Sequence, residues 1–429
     1  MSNDSIAEAK LFDDLSRTKP EAETIDSYEE LARLSSPINY TRQPFRFVQS
    51  IFNNHTKGNP EWKTNRTELA ALFDLAVTAC YMEKIADNNW IYCRHPGGAS
   101  FNHPFVNACP TCILNDEFTY SKAHKPRSAS IGKYSSDILA AFLDLTIKEA
   151  HPRQNIRILR NNGLVDAYLE GDKSLVLFEI KSAPLIPFPV TANTTPPSEA
   201  HEDLNTHWEL ANHSEAAVRQ DIETFLIIDK TLRIPTGKPR DYEAGAHYDA
   251  IANWLETGSN RSNYINSWKR TYDGYHDSSL RTATYWLTNG CGRPDPRPVE
   301  WPRTGSNGGY SSISDGKSSV GMDRTDDLKK GLYQVLKISN HYKEHFPSGN
   351  KEVFVALASN IHAVKHGAEY VDKLANIVWT TDEADDSYVA KNSDGSFNVK
   401  AGKLYNLFDA IITFTDSHFR SDYLEDLYG

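Results

Sequence analysis

The chain has 429 residues with a formal net charge of −11, and 39% of its residues are hydrophobic. This length and composition predict a globular protein of more than one folded unit and exclude a disordered chain. The sequence has no apolar run of the ~20 residues that span a bilayer and no signal peptide, so we expect a cytoplasmic protein without membrane contact. The negative charge gives no support to broad, nonspecific nucleic-acid binding but permits a local basic cleft.

The N-terminal region, residues 1–125, is predicted to be helical with a metal-binding segment. Apolar residues at helical spacing predict a helix after Thr67, and Cys80 extends its stripe as a packed core cysteine. Further along, Cys109-Pro-Thr-Cys112 has the spacing of a zinc knuckle, in which one tight turn presents two thiolates. The region is therefore predicted to hold a structural Zn²⁺ ion.

The zinc ligands are predicted to be Cys93, His103, Cys109 and Cys112. The fourth ligand stays open among His103, His95, His124 and Cys80. Two other uses of the cysteines remain. One is thioredoxin-like redox chemistry, although the C-x-x-C pair lacks the strand-then-helix context of that motif, and the other is three isolated core cysteines.

The next region, residues 126–190, is predicted to form a helix followed by short strands. Ser135 is a plausible N-cap for the helix, and Asp137 stands near its start, where a carboxylate complements the helix dipole. Lys133 precedes it in a basic, Ser-rich link. After a strand at Ile156–Leu159, the segment 164–181 shows two apolar, β-branched runs joined by a Gly-Asp turn, which predicts a hairpin.

The hairpin is predicted to place polar side chains on one face. With Gly171 and Asp172 at the turn centre, Asp166 lies opposite Leu177, and side chains alternate between faces along a strand. One face then carries Asp166, Leu177, Glu179 and Lys181, and the other carries Val165, Ala167, Val176, Phe178 and Ile180.

This face suits metal-assisted phosphodiester hydrolysis. Asp166 and Glu179 offer the hard oxygen ligands that Mg²⁺ prefers, and the metal lowers the pKa of a bound water. Lys181 can orient or deprotonate the attacking water or stabilise the developing charge. A surface salt bridge on a half-exposed hairpin is the alternative, because charged residues often alternate with apolar ones there.

Asp166, twelve intervening residues and then Glu179-Ile180-Lys181 resemble the PD-(D/E)XK motif of type II restriction endonucleases, with Val165 in place of the proline. The resemblance implies that Asp166 and Glu179 bind Mg²⁺ and that Lys181 is the catalytic lysine. It also implies a further carboxylate from the preceding helix, for which Asp137 is the candidate, while Lys133 is placed to contact phosphate.

Residues 191–324 are predicted to be a long insertion that recognises DNA. It contains predicted helices near Glu215–Phe225 and Tyr248–Leu255 and an apolar strand at Thr224–Ile228. Lys269 and Arg270 stand among aromatic residues, a mixture that suits DNA contact and equally suits a small aromatic core.

A Gly- and Ser-rich stretch, residues 305–325, closes the insertion. Its backbone amides, with Lys317 and Arg324, make it a candidate loop for DNA phosphates or bases, and a flexible linker is the alternative.

The last region, residues 325–429, is predicted to complete the core. An apolar stripe that includes Leu336 predicts a helix from Thr325 to about His345, and a buried strand follows at Glu352–Ala358. Gln334 is a candidate for a position near the active site. The tail, 370–429, shows no pattern that indicates chemistry.

Together these features predict an α/β protein with a restriction-endonuclease-like core, a mixed central sheet flanked by helices, an N-terminal zinc-binding region and a large insertion. The resemblance, which covers about 130 residues, implies a Mg²⁺-dependent type II restriction endonuclease that cuts double-stranded DNA as a homodimer, with one active site per strand. A structure-specific or repair nuclease and a non-catalytic zinc-containing DNA-binding protein remain as alternatives.

Overall fold

The computed structural model describes residues 28–82, 91–95, 98–103, 111, 114, 128–161, 163, 165–186, 188–194, 220–280, 286–287, 290–291, 321–345, 351–363, 370–371, 374, 377–380 and 404–428. Within these ranges the chain has an α/β fold with a mixed seven-stranded sheet flanked by helices, which confirms the predicted fold class at that level. No helix in these ranges is long and apolar enough to cross a bilayer.

The helices pack on the sheets, and a short 3₁₀ turn at Gly321–Asp323 directly precedes the longest C-terminal helix. They are α1 (Tyr28–Arg33), α2 (Gln43–Thr56), α3 (Thr67–Met82), α4 (Ser128–Ala150), α5 (Ala246–Glu256), α6 (Gly258–His276), α7 (Thr325–His345) and α8 (Asp422–Tyr428).

The strands are short, and most of them belong to one of two sheets. They are β1 (Ser35–Pro37), β2 (Ile91–His95), β3 (Gly98–His103), β4 (Arg157–Asn161), β5 (Ala167–Glu170), β6 (Ser174–Ile180), β7 (Val190–Thr194), β8 (Thr224–Ile227), β9 (Arg233–Gly237), β10 (Trp286–Leu287), β11 (Gly290–Cys291), β12 (Glu352–Ala358), β13 (Val378–Thr380), β14 (Leu404–Asn406), β15 (Ala410–Ile412) and β16 (His418–Phe419).

The larger sheet has the strand order β1-β4-β5-β6-β12-β15-β16. Its centre is parallel, because β12 pairs in parallel with both β6 and β15, and the outer pairs are antiparallel. One face, with Phe178 and Ile180, packs in a core with α3 and α4. The opposite face, with Leu177 and Leu357, packs against α7. The polar face of the hairpin therefore lies on the α7 side of the sheet.

The smaller sheet has the order β2-β3-β7-β8-β9. Its strands come mainly from two of the four regions predicted from sequence, because β2 and β3 precede residue 125 and β8 and β9 follow residue 191, while β7 spans the boundary at residue 190. Antiparallel pairing of β3 with β7 and of β7 with β8 joins them. The N-terminal region and the first half of the predicted insertion thus share one sheet.

The β5–β6 hairpin differs from its prediction in register. Glu170 pairs with Leu175, so the turn centre lies at Asp172-Lys173 and the register is shifted by two residues. The reason is Gly171, which stays in the ladder: its N–H donates to the Ser174 carbonyl (3.0 Å), and a Cβ there would lie 2.8 Å from Ser174 Oγ. Because side chains alternate between the two faces of a sheet, a register shift of two residues leaves them on the faces that were predicted.

Two residues lie elsewhere than predicted. Val165 precedes β5 and packs with Leu177 on the α7 side of the sheet, because regular alternation begins only at Ala167. Ser135 is not an N-cap, because α4 begins at Ser128 and buries Ser135 within the helix. Asp137 consequently lies in the third turn of α4, beyond the first turn where the helix dipole acts.

Candidate active site

Asp166, Glu179 and Lys181 are brought together where β6 ends. The Asp166 N–H donates to the Phe178 carbonyl (3.0 Å), so Asp166 lies across the hairpin from the end of β6. Asp166 Oδ2 also accepts the Ile180 N–H at 2.7 Å, which fixes the carboxylate beside that strand. The Lys181 N–H donates to the Ala358 carbonyl (2.9 Å), so parallel pairing with β12 holds the lysine backbone.

The three side chains form one electrostatic unit. Glu179 is 4% exposed and forms an ion pair with Lys181. Burial raises the pKa of Glu179 to about 7, Asp166 adds to this shift and Lys181 opposes it. Burial also raises the pKa of Asp166, against the effects of Lys181 and the Ile180 N–H. The buried Glu179 and the half-buried Asp166 therefore share one lysine, which leaves a site with a net demand for positive charge.

Lys181 is held between these carboxylates and helix α7. Burial lowers the pKa of Lys181, but Glu179, Asp166 and Asp327 of α7 outweigh burial and raise it above its ordinary value. The helix approaches closely at Gly331, where a Cβ would lie 3.0 Å from Lys181 Cγ and 3.1 Å from Leu357 Cδ1. Glycine at this position leaves room for the lysine stem.

Gln334 lies on the α7 face that approaches Lys181, since Asp327, Gly331 and Gln334 are spaced by four and three residues. Its Oε1 atom is buried and accepts no hydrogen bond from the part of the chain that the structure describes. This location on α7 is compatible with the prediction that Gln334 lies near the active site.

Asp137 approaches the same site from α4. Asp137 Oδ1 lies 2.8 Å from Arg160 Nη1 in an ion pair between α4 and β4. Its negative charge contributes to the raised pKa of Asp166, after burial, which is the larger cause. Lys133 is exposed one helical turn before Asp137. The predicted additional carboxylate therefore acts electrostatically on Asp166 while it is paired with an arginine.

Arg324 stands at the start of α7, and its Nη1 atom lies 3.5 Å from Asp327 Oδ2. The preceding turn packs against the end of β6: Gly321 has φ +53, and a Cβ there would lie 3.3 Å from the Lys181 carbonyl oxygen. Arg324 is therefore close to the candidate site through Asp327. Lys317 lies outside the described residues.

The other two predicted DNA-binding cations are partnered within the protein. Lys269 Nζ lies 2.7 Å from Glu68 Oε1, which joins α6 to α3, and Arg270 Nη2 lies 3.5 Å from Asp229 Oδ2. Contact with DNA phosphates would have to compete with these ion pairs. Their role in DNA binding stays a prediction.

The predicted zinc ligands are only partly within the described residues. Cys93 lies in β2 opposite Ser100 of β3, and His103 ends β3 opposite Val190. Cys109, Cys112 and the alternative ligand His124 lie outside the described residues. Cys80 is 1% exposed in the core on α3, as predicted for a packed cysteine, and His95 pairs with Gly98. The zinc site therefore stays a prediction.

Asp74 of α3 is a buried carboxylate that the sequence analysis does not single out. It is fully buried and accepts hydrogen bonds from Leu185 N (3.1 Å), Ile186 N (2.9 Å) and Trp268 Nε1 (2.7 Å). Burial raises its pKa to about 8, and these donors oppose the shift. Asp74 thus fixes the segment that follows Lys181. In the sequence, the only sign of this role is that Asp74 is a single carboxylate within an otherwise apolar stretch of helix.

Comparison of the chain with protein-family models, with characterised proteins and with solved structures finds no match.

Proposed function

We propose that this protein is a Mg²⁺-dependent endodeoxyribonuclease of the type II restriction class, which hydrolyses phosphodiester bonds in double-stranded DNA. One observation carries the proposal: Asp166, Glu179 and Lys181 meet at the end of β6, against α7. A surface salt bridge would not require a buried Glu179 with a second carboxylate, Asp166, beside the Glu179–Lys181 pair.

The donor set fits a hard divalent cation. Burial raises the pKa of both Asp166 and Glu179, and each carboxylate disfavours ionisation of its neighbour, so bound positive charge would stabilise both. Carboxylate oxygens are the ligands that Mg²⁺ prefers. When bound, Mg²⁺ would supply a water of lowered pKa and neutralise charge on the phosphate.

The protein groups then have distinct roles. Asp166 and Glu179 would hold the cation, and the Ile180 N–H keeps Asp166 oriented. Lys181 orients the attacking water and stabilises the developing charge on the phosphate, because its raised pKa keeps the ammonium group protonated. Asp137 is the further carboxylate on α4, while Arg324 and Lys133 are candidates to contact flanking phosphates.

The order of elements supports the same proposal. A helix (α4), the hairpin with Asp166 and Glu179, a second helix (α7) and a strand parallel to β6 (β12) follow one another in the order that we expect for a restriction-endonuclease-like core. Cleavage of both strands requires two copies of the site, so we propose a homodimer. The N-terminal region, with its predicted structural zinc, and the insertion would recognise the DNA sequence.

The test is incubation of the purified full-length protein with plasmid and phage DNA in Mg²⁺, followed by sequencing of the fragment ends. We expect discrete fragments with a common sequence at the ends, and no fragments with EDTA. A requirement for branched or open-ended DNA would instead support a structure-specific nuclease. Cleavage that persists in Asp166→Ala would disprove the assigned site.

A further inference from the structure

A second group of potential metal ligands lies away from the hairpin, at the end of the central strand β12. His362 follows β12 in the segment 359–363, and Asp416 and His418 belong to the turn and strand after β15. Because β12 and β15 are parallel neighbours, the segments that follow them meet at the same edge of the sheet. The fold thus joins residues more than 50 positions apart.

The three side chains are close enough to share one ion. One ligand atom from each residue lies within 4.8 Å of the other two, and His418 Nε2 is 3.9 Å from Asp416 Oδ2. Ligand bonds of about 2.0–2.1 Å in a tetrahedral site place ligand atoms about 3.3 Å apart. Small side-chain rotations would close the remaining distance, because His418 and Asp416 are 47% and 65% exposed.

The backbone that carries these ligands is fixed by hydrogen bonds. The His362 N–H donates to Thr415 Oγ1 at 2.8 Å, which ties the segment after β12 to the turn. Within the turn, Thr413 Oγ1 accepts the Asp416 N–H at 2.9 Å, and Ser417 Oγ accepts the Thr413 N–H at 2.9 Å. The backbone positions of the ligands are therefore set by the fold before any ion binds, which lowers the entropy cost of binding.

The ligand types select the class of metal. Two imidazole nitrogens and one carboxylate suit zinc and other first-row transition metals, whereas Mg²⁺ and Ca²⁺ prefer oxygen ligands alone. His362 is 8% exposed and forms the inner side of the group, and Asp416 and His418 form its solvent side. Three protein ligands leave at least one position for water.

We propose that His362, Asp416 and His418 form a binding site for a first-row transition-metal ion such as Zn²⁺. This site is distinct from the oxygen-ligand site at Asp166 and Glu179 and from the predicted cysteine site. Its ion would join the edge strand β16 to the segment that follows the central strand β12.

The test is the amount of zinc bound per chain. Metal-stripped full-length protein is equilibrated with ZnCl₂ in excess Mg²⁺, freed of unbound metal and analysed for zinc. The variants are Asp416→Asn and His418→Ala, and Asp426→Asn is the control because Asp426 is an exposed carboxylate on nearby α8. Zinc bound at the cysteines would be the same in the wild type and the three variants. DNA cleavage is not measured, so the result does not depend on the proposed nuclease activity.

We expect both ligand variants to hold one zinc ion fewer per chain than the wild type and the control, at unchanged circular dichroism. Equal zinc in all four proteins would overturn the proposal. A second measurement uses Co²⁺ as the probe. The visible absorbance of bound Co²⁺ should be lower in both ligand variants than in the wild type, and by the same amount. Unchanged cobalt spectra would likewise overturn it.

Discussion

Two buried carboxylate sites of this protein have similar electrostatics and different surroundings. Burial raises the pKa of Asp74 to about 8 and that of Glu179 to about 7. Asp74 accepts bonds from fixed donors, two backbone N–H groups and the Trp268 indole. Glu179 has a flexible lysine as its partner and a second carboxylate, Asp166, beside it.

The difference indicates what separates a structural carboxylate from a candidate catalytic one. A raised pKa alone marks both, since structural networks also perturb titration. Fixed donors bind both oxygens of Asp74, whereas Glu179 is paired with a lysine side chain whose place a cation could take. We therefore expect substitutions at the hairpin to affect chemistry and those at Asp74 to affect stability.

The largest effect is expected at Lys181. Lys181→Met should slow Mg²⁺-dependent cleavage by about 10²–10⁴-fold, the range for loss of a group that transfers protons or stabilises charge. Single-turnover cleavage of plasmid measures it. The control is Lys173→Met, an exposed lysine at the other end of the same hairpin, and it should cleave as the wild type does. Equal loss in both variants would remove Lys181 from the mechanism.

A smaller effect is expected from the helix that faces the lysine. In Gly331→Ala the new Cβ would lie 3.0 Å from Lys181 Cγ, and displacement of a catalytic group by up to about 1 Å can cost as much as 10²-fold in rate. We expect slower cleavage by a folded protein.

The matched control for that helix variant is Gly132→Ala, where a Cβ within α4 meets no atom within 4 Å. It should raise the free energy of unfolding by about 0.5–1 kcal/mol, through helix propensity, without slowing cleavage. If Gly331→Ala also left the rate unchanged, the close packing of α7 on Lys181 would have no functional role.

At the structural carboxylate, Asp74, we expect the opposite outcome: a loss of stability without a loss of cleavage. Asp74→Ala removes the acceptor of two backbone N–H groups and of the Trp268 indole, which should lower the free energy of unfolding by about 1–3 kcal/mol. Urea unfolding followed by tryptophan fluorescence measures it. Cleavage at low temperature should persist. Lost cleavage at unchanged stability would place Asp74 in the chemistry instead.

The last prediction is a pH dependence of stability. The folded pKa of Asp74, about 8, lies above its unfolded value near 3.8, so the folded state retains a proton that the unfolded state has lost. Its contribution is complete below about pH 4 and is lost as pH rises toward 8. Urea unfolding from pH 5 to 8 should show the wild type losing stability relative to Asp74→Asn. A constant difference would contradict the raised pKa.

Local patterns predicted the parts of the fold that depend on local sequence. The bounds of α7 and β12 match their prediction, because helical periodicity and an apolar run are short-range signals. Even there one residue differs: Leu336 is 46% exposed, whereas Ile338 is fully buried, so the stripe is rotated slightly. The hairpin faces were also correct apart from Val165, since a register shift of two residues preserves them.

Long-range pairing was not predictable in this way. No local signal indicates that β3 and β8 join the same sheet through β7, and none links His362 to His418. The donors to Asp74 come from segments more than 100 residues away, so its structural role required the fold. The start of α4 was missed because Ser135 resembles a cap in sequence and is buried in the helix.

The parallel pairing of β6 with β12 also has a consequence for biosynthesis. The hairpin can form early, because its strands are adjacent, but Glu352 pairs with Ser174 about 180 residues earlier in the chain. Loop closure over that distance is slow, and it must wait until the ribosome has made α7 and β12. A nascent chain would thus carry Asp166, Glu179 and Lys181 without the partners that hold them. On the proposed function, DNA cleavage would begin only after β12 has been made and has paired with β6.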